Sequence, residues 1–150
     1  IRIGSTTGYT REIMERLTPI AASHGFAPDN LVCAGDLAEG RPGALMMYRT
    51  FLDLGVWPAW AAVKVDDTEP GIAEGLAAGT WTVGVAASGN AMGLSLEELD
   101  DLEDDEFLAR YQSAERRLHR AGAHFVVESV AGLMSVIDDI EGRLLRGERP

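Results

Sequence analysis

Short apolar runs rich in β-branched residues alternate along this chain with stretches whose apolar residues recur every three or four positions, and that alternation leaves few architectures open. Residues 1–5, 31–34, 61–65, 81–86 and 124–127 read as five buried strands. The first ends in the polar loop Ser5, Thr6, Thr7, Gly8, and the third stops abruptly at Asp66 and Asp67. Between them lie helical patterns. Ile13, Leu17, Ile20 and Ala21 mark the first, with Pro19 predicting a kink and Gly25 a stop. Arg41 and Pro42 open the second, with Leu45, Tyr48, Phe51 and Leu52 on one face and Gly55 at its end. Thr68 caps the third, which carries Pro70 in its first turn and ends at Gly79. Ser95 and Glu98 form a capping box that starts an acidic helical stretch reaching about Ala121, and Leu133, Ile137, Ile140 and Leu144 stripe the last helix.

Strands and helices in this rhythm require right-handed crossovers and one parallel sheet covered on both faces. The expected fold is a three-layer α/β sandwich with a Rossmann-like sheet, and 150 residues suit one domain. With 13 basic against 24 acidic residues, the net charge of -11 repels a phosphate backbone, which argues against nucleic acid as a partner. No apolar run reaches the roughly 18 residues of a membrane span, so no membrane partner is expected. Cys33 has no second cysteine to pair with and sits in a strand pattern as an inert core residue. With no secretory signal pattern, a cytoplasmic address is the default. The chain opens on Ile1 and runs straight into an apolar stretch, which reads as a piece of a longer protein.

In an open parallel sheet, ligands bind beyond the carboxyl ends of the strands. Three places there carry unusual polar residues. Thr6, Thr7 and Gly8 offer hydroxyls and backbone N–H groups that suit an oxyanion or phosphate, and equally suit a plain helix cap. Arg41 before Pro42 is a cation that can pair with phosphate oxygens, or an ordinary surface arginine. Asp66 and Asp67 are adjacent on an extended backbone and point to opposite faces. One can reach the crevice and bind magnesium while the other supports the loop, though both also suit helix capping. His24, His119 and His124 lack ligand spacing, and Trp57, Trp60 and Trp81 read as packing. No phosphate-loop or dinucleotide spacing occurs around residues 84–93.

The order of these pieces resembles the second, third and fourth motifs of the haloacid dehalogenase superfamily. Residues 3–11 (I-G-S-T-T-G-Y-T-R), 40–42 (G-R-P), 64–68 (K-V-D-D-T), 78–85 (A-G-T-W-T-V-G-V) and 122–125 (G-A-H-F) are similar, more specifically, to its phosphonoacetaldehyde hydrolase, or phosphonatase, family. That resemblance implies a Mg2+-dependent hydrolase that cleaves the carbon–phosphorus bond of a small phosphonate to give acetaldehyde and phosphate, and a homodimer when intact. It implies that Thr6 or Thr7, with Gly8, holds the transferring phosphoryl group. It gives Arg41 the place of the superfamily's lysine, Asp67 the metal and Asp66 a place beside it. The chain departs from the pattern at Gly71, where relatives often carry a further acid, and at Ala44, which replaces a proline. Neither the D-x-[DA] strand with the aspartate nucleophile nor the helical cap with its Schiff-base lysine is found in residues 1–150. Lys64, the one lysine, is expected to point away from the phosphate site. A phosphate monoester phosphatase, a phosphomutase and a non-catalytic remnant of the same fold are the alternatives.

Overall fold

The computed structural model describes residues 1–150, the side chain of Leu96 apart. The chain runs β1 (Gly4–Thr10), α1 (Arg11–Ser23), β2 (Asn30–Ala34), α2 (Leu45–Leu54), β3 (Val63–Asp66), α3 (Glu69–Ala78), β4 (Trp81–Val85), α4 (Leu96–Asp100), α5 (Asp104–Arg120), β5 (Phe125–Val127) and α6 (Leu133–Leu145). All strand pairs are parallel, as the alternating pattern requires. The single expected sheet is, however, two. β1 pairs with β2, and β3–β4–β5 forms a separate sheet in that order. No peptide group joins β1 to β3. The two edges are bridged instead by long side chains that reach Thr6, namely Lys64 on its hydroxyl and Arg41 on its carbonyl.

The three-stranded sheet is a layer between helices. Trp81 and Val83 point to one face, where they pack with Ile140 of α6 and its neighbours Leu133 and Leu144. The other face receives Ile72 of α3 and Leu118 of α5. Period-two alternation therefore places Val63 and Val65 toward α6 and turns Lys64 and Asp66 toward α3. Two glycines allow the close approach on that side. A Cβ on Gly75 would lie 2.7 Å from the Lys64 side chain, and one on Gly84 would lie 3.0 Å from Leu118.

Several local expectations hold and several are revised. Thr68 accepts the Gly71 N–H at the start of α3, Gly79 closes that helix at φ 78°, and the Ser95–Glu98 capping box forms both its bonds. The first strand reaches Thr10, so Thr6, Thr7 and Gly8 belong to β1 and not to a loop; its register with β2 shifts between Thr7 and Thr10. The second helix starts at Leu45, after a turn at residues 41–44, and buries Met46, Met47, Thr50 and Phe51. Leu45, Tyr48 and Leu52 are exposed, because the face turned toward Ala78 of α3 and Gly4 of β1 carries Met47, Thr50 and Phe51. The acidic stretch after Ser95 is two helices, α4 and α5, broken at residues 101–103. Trp57 is 84% exposed, whereas Trp81 is buried. Among the described residues, no helix is long and apolar enough to cross a membrane.

Candidate functional site

The chain leaves β1 toward β2 on one side and later returns to build β3, β4 and β5 on the other, so the winding reverses between β1 and β3. Ligand crevices form at such a reversal. There, at the carboxyl ends of the strands, lies a cavity of about 510 Å3 whose wall includes Gly8, Arg41, Asp67, Thr68, Asn90 and Arg117. They come from five segments: the end of β1, the turn before α2, the turn after β3 (Asp67 and Thr68), the loop after β4, and α5.

Beneath the cavity is a compact charged cluster. Glu74 of α3 is fully buried, and its Oε2 accepts from Thr6 Oγ1 (2.9 Å), Arg41 Nε (3.1 Å) and Lys64 Nζ (2.8 Å). Lys64 also donates to Thr6 Oγ1 at 2.7 Å and lies 3.3 Å from Asp66 Oδ2. Arg41 Nη2 donates to the Thr6 carbonyl at 2.7 Å and pairs with Asp66 Oδ2 at 3.0 Å. Two cations and two anions thus balance inside the protein, as buried charges must. One polar atom is left over: Glu74 Oε1 is buried without a partner among the described residues.

The two neighbouring aspartates part company. Asp66 turns inward, where Oδ1 accepts from the Thr68 N–H (3.0 Å) and hydroxyl (2.7 Å) and Oδ2 faces Arg41 and Lys64. Asp67 faces the cavity, and its Oδ2 accepts the Asn90 N–H at 2.7 Å. Gly89 makes that contact possible, since a Cβ there would stand 2.8 Å from Asp67 Cβ.

Of the residues singled out from the sequence, Gly8, Arg41 and Asp67 meet at the cavity. Thr6 does not reach it, because its hydroxyl is taken up in the cluster below. Thr7 Oγ1 accepts the Tyr9 N–H at 3.1 Å within β1. Lys64 does not point away from the site; it is part of the cluster under it. Lys64 and Glu74 were legible as charged residues set within apolar runs, which are rarely buried unless paired. Asn90 and Arg117 carried no signal of their own, and Arg117 joins the rim paired with Glu69 at 3.1 Å.

Among the described residues no three metal-ligating side chains cluster. Asp67 does offer a carboxylate to an open cavity, and a Cβ on Gly8 meets nothing within 4 Å. A hard cation bound by one carboxylate with water and a phosphate group fits that donor set. Asp66 does not fit it, having both oxygens engaged by protein donors.

No protein-family model matches the chain. Its residues align along their whole length with proteins named phosphonoacetaldehyde hydrolase. The relative from Paraburkholderia xenovorans (strain LB400) is 59% identical over 150 residues, and that from Klebsiella pneumoniae subsp. pneumoniae is 48% identical over 151. The chain spans 56% of the length of each of these relatives. Among solved structures, a phosphonoacetaldehyde hydrolase-like protein from Oleispira antarctica superposes with a TM-score of 0.97 at 46% identity, covering all of this chain and 54% of that one. A putative beta-phosphoglucomutase from Thermotoga maritima matches 93% of this chain and 53% of its own at a TM-score of 0.59 and 22% identity, a likeness of fold alone.

Proposed function

Because the chain is homologous over its whole length to the phosphonoacetaldehyde hydrolases, with their haloacid dehalogenase-type fold, we propose that it forms the phosphate-binding half of an enzyme that hydrolyses phosphonoacetaldehyde to acetaldehyde and phosphate. One observation carries the reading. Gly8, Arg41 and Asp67, drawn from three segments far apart in sequence, converge on one cavity at the topological reversal of the fold.

In that cavity the substrate's phosphonate oxygens face Arg41, whose guanidinium neutralises their charge, while the backbone at Gly8 admits the group closely. Asp67, steadied by the Asn90 N–H, holds a divalent cation, in our reading Mg2+. When bound, the cation screens the negative charges of the phosphoryl group and of an attacking carboxylate. Phosphoryl transfer depends mainly on positioning and charge neutralisation, and those are what this chain's residues provide. The carboxylate nucleophile and the amine that activates the aldehyde as an imine are assigned to segments outside residues 1–150. Lys64 is not that amine, since its Nζ is buried against Thr6 and Glu74.

The test is made on the full-length protein. Acetaldehyde and phosphate should appear in equal amounts from phosphonoacetaldehyde, and borohydride added with substrate should inactivate it by trapping the imine. Release of phosphate from a sugar monophosphate, with no borohydride inactivation, would assign the protein instead to a phosphatase or phosphomutase.

A further inference from the structure

We propose that Asp66 is a positioning residue that acts through Arg41, and not a ligand of the cation held by its neighbour Asp67; this rests on the reading of the cavity as a phosphate site. The Arg41 guanidinium is gripped along one edge only. Nε binds Glu74 Oε2 at 3.1 Å, and Nη2 binds the Thr6 carbonyl at 2.7 Å and Asp66 Oδ2 at 3.0 Å. Nη1 has no protein partner among the described residues, and Arg41 lines the cavity. The grip therefore leaves one nitrogen of the fork for an anion.

Asp66 Oδ2 is the charged anchor of Arg41's outer nitrogen, and the same oxygen lies 3.3 Å from Lys64 Nζ. Glu74 Oε2 already receives three donors, from Thr6, Arg41 and Lys64, so it cannot alone fix the direction of the guanidinium. The Thr6 carbonyl is neutral and carries one lone pair toward Arg41. Asp66 supplies a full charge on the same nitrogen, and its own rotamer is locked by two bonds from Thr68 to the other oxygen. Its side chain is only 7% exposed, so water does not compete for it.

Gly71 makes this arrangement possible. A Cβ at position 71 would fall 1.9 Å from Asp66 Cγ and within 2.2 Å of both carboxylate oxygens. The Asp66 carboxylate occupies the space of a side chain at 71, so the two cannot coexist. The acid expected four residues after Asp67 is thus excluded by the acid that precedes it. That acid faces Arg41 instead of the cavity.

The experiment is a double-mutant cycle in the full-length protein, with inorganic phosphate as the probe. Two quantities are read for each variant: the phosphate concentration that halves turnover and the Mg2+ concentration that gives half-maximal turnover. Arg41→Gln weakens phosphate inhibition, and Asp66→Asn alone weakens it by about fivefold to tenfold, the scale of a lost charge-assisted anchor. In the Arg41→Gln background, Asp66→Asn then changes phosphate inhibition less than about twofold, as expected of a residue that works through Arg41. Mg2+ half-saturation stays within about twofold of the parent throughout. Gly71→Ala, which takes the seat of the carboxylate while leaving the charge in the chain, reproduces the Asp66→Asn change; if it does not fold, as melting would reveal, the Asp66→Asn pair decides. Full additivity of the two substitutions, or a Mg2+ shift with unchanged phosphate inhibition, overturns the proposal. If Arg41→Gln itself leaves phosphate inhibition unaltered, the phosphate reading of the cavity falls and the positioning role falls with it. An effect of Arg41→Gln without one of Asp66→Asn overturns the positioning role alone.

Discussion

Asp67 and His124 illustrate how single side chains in this fold divide between chemistry and structure. Asp67 makes one bond, to a loop N–H, and faces open space; replacing it removes charge from the cavity while costing the fold little. Asp67→Asn in the full-length protein should therefore lower turnover by at least about a hundredfold at limiting Mg2+, the scale of a lost oxygen ligand, with a nearly unchanged melting temperature. Near-parent turnover would remove Asp67 from the cation site. His124 is the opposite case. Its Nδ1 accepts the Thr82 N–H at 3.0 Å, its ring meets the edge of Trp81, and burial, helped by the Arg143 charge, lowers its pKa below the usual histidine range. A depressed folded-state pKa means that the unfolded chain binds the proton more readily, so the stability His124 adds is present above the unfolded value of about 6.5 and is lost as pH falls below it. The melting temperature should decline between neutrality and about pH 5, and His124→Gln should flatten that part of the curve. An unchanged slope in the variant would show that other groups set it.

At the scale of elements, the site depends on how closely α3 lies on β3 and β4. Gly75 permits that approach, and the preceding residue, Glu74, thereby reaches past Lys64 to Thr6 on a different sheet. An alanine at 75 would put a methyl group 2.7 Å from Lys64 and 2.8 Å from Thr82, so the helix must lift. Gly75→Ala should destabilise by about 1–3 kcal/mol despite its better helix propensity, the usual cost of overpacking, as read by chemical denaturation. It should also loosen phosphate inhibition, because Glu74 and Arg41 move with the helix. Stability equal to or above the parent's would show that the contact yields without cost. The capping box at Ser95 is a purely local counterpart. It is exposed, and Ser95→Ala should cost about 1 kcal/mol at most.

For the molecule as a whole, the two open edges and the first helix set the behaviour of residues 1–150 in isolation. β1 and β3 face each other without backbone pairing, and α1 buries none of its residues although Tyr9, Ile13, Leu17 and Ile20 give that side of the chain an apolar stripe. Unpaired strand edges and large apolar surface promote self-association. A purified polypeptide of residues 1–150 should therefore sediment as aggregates at micromolar concentration. It should release no phosphate from phosphonoacetaldehyde above background, because its lysine amine is buried in the charged cluster and, of the two carboxylates that line the cavity among the described residues, Asp67 is the proposed cation ligand and Glu69 is paired with Arg117. Turnover comparable with the full-length protein would refute the division of labour proposed between this chain and the rest.

The succession of strands and helices, the parallel sense of the strands, the Thr68 and Gly79 limits of α3, and the Ser95 capping box were all legible in the sequence, because each depends on neighbours a few residues apart or on their alternation along the chain. So were three of the residues at the cavity, Gly8, Arg41 and Asp67, since a glycine in a polar run, an arginine set before a proline and an acid closing an apolar strand stand out locally. What the sequence left undecided depended on distance through space. Spacing alone could not tell that β1 and β3 do not pair, that α2 turns Met46 and Met47 inward in place of Leu45 and Leu52, or that Thr6 spends its hydroxyl on Glu74. The roles of Asp66 and Asp67 were likewise open in sequence, since alternation fixes only that they diverge. It took the empty space over Gly71, and an arginine from another turn arriving beside it, to decide which of the two faces inward.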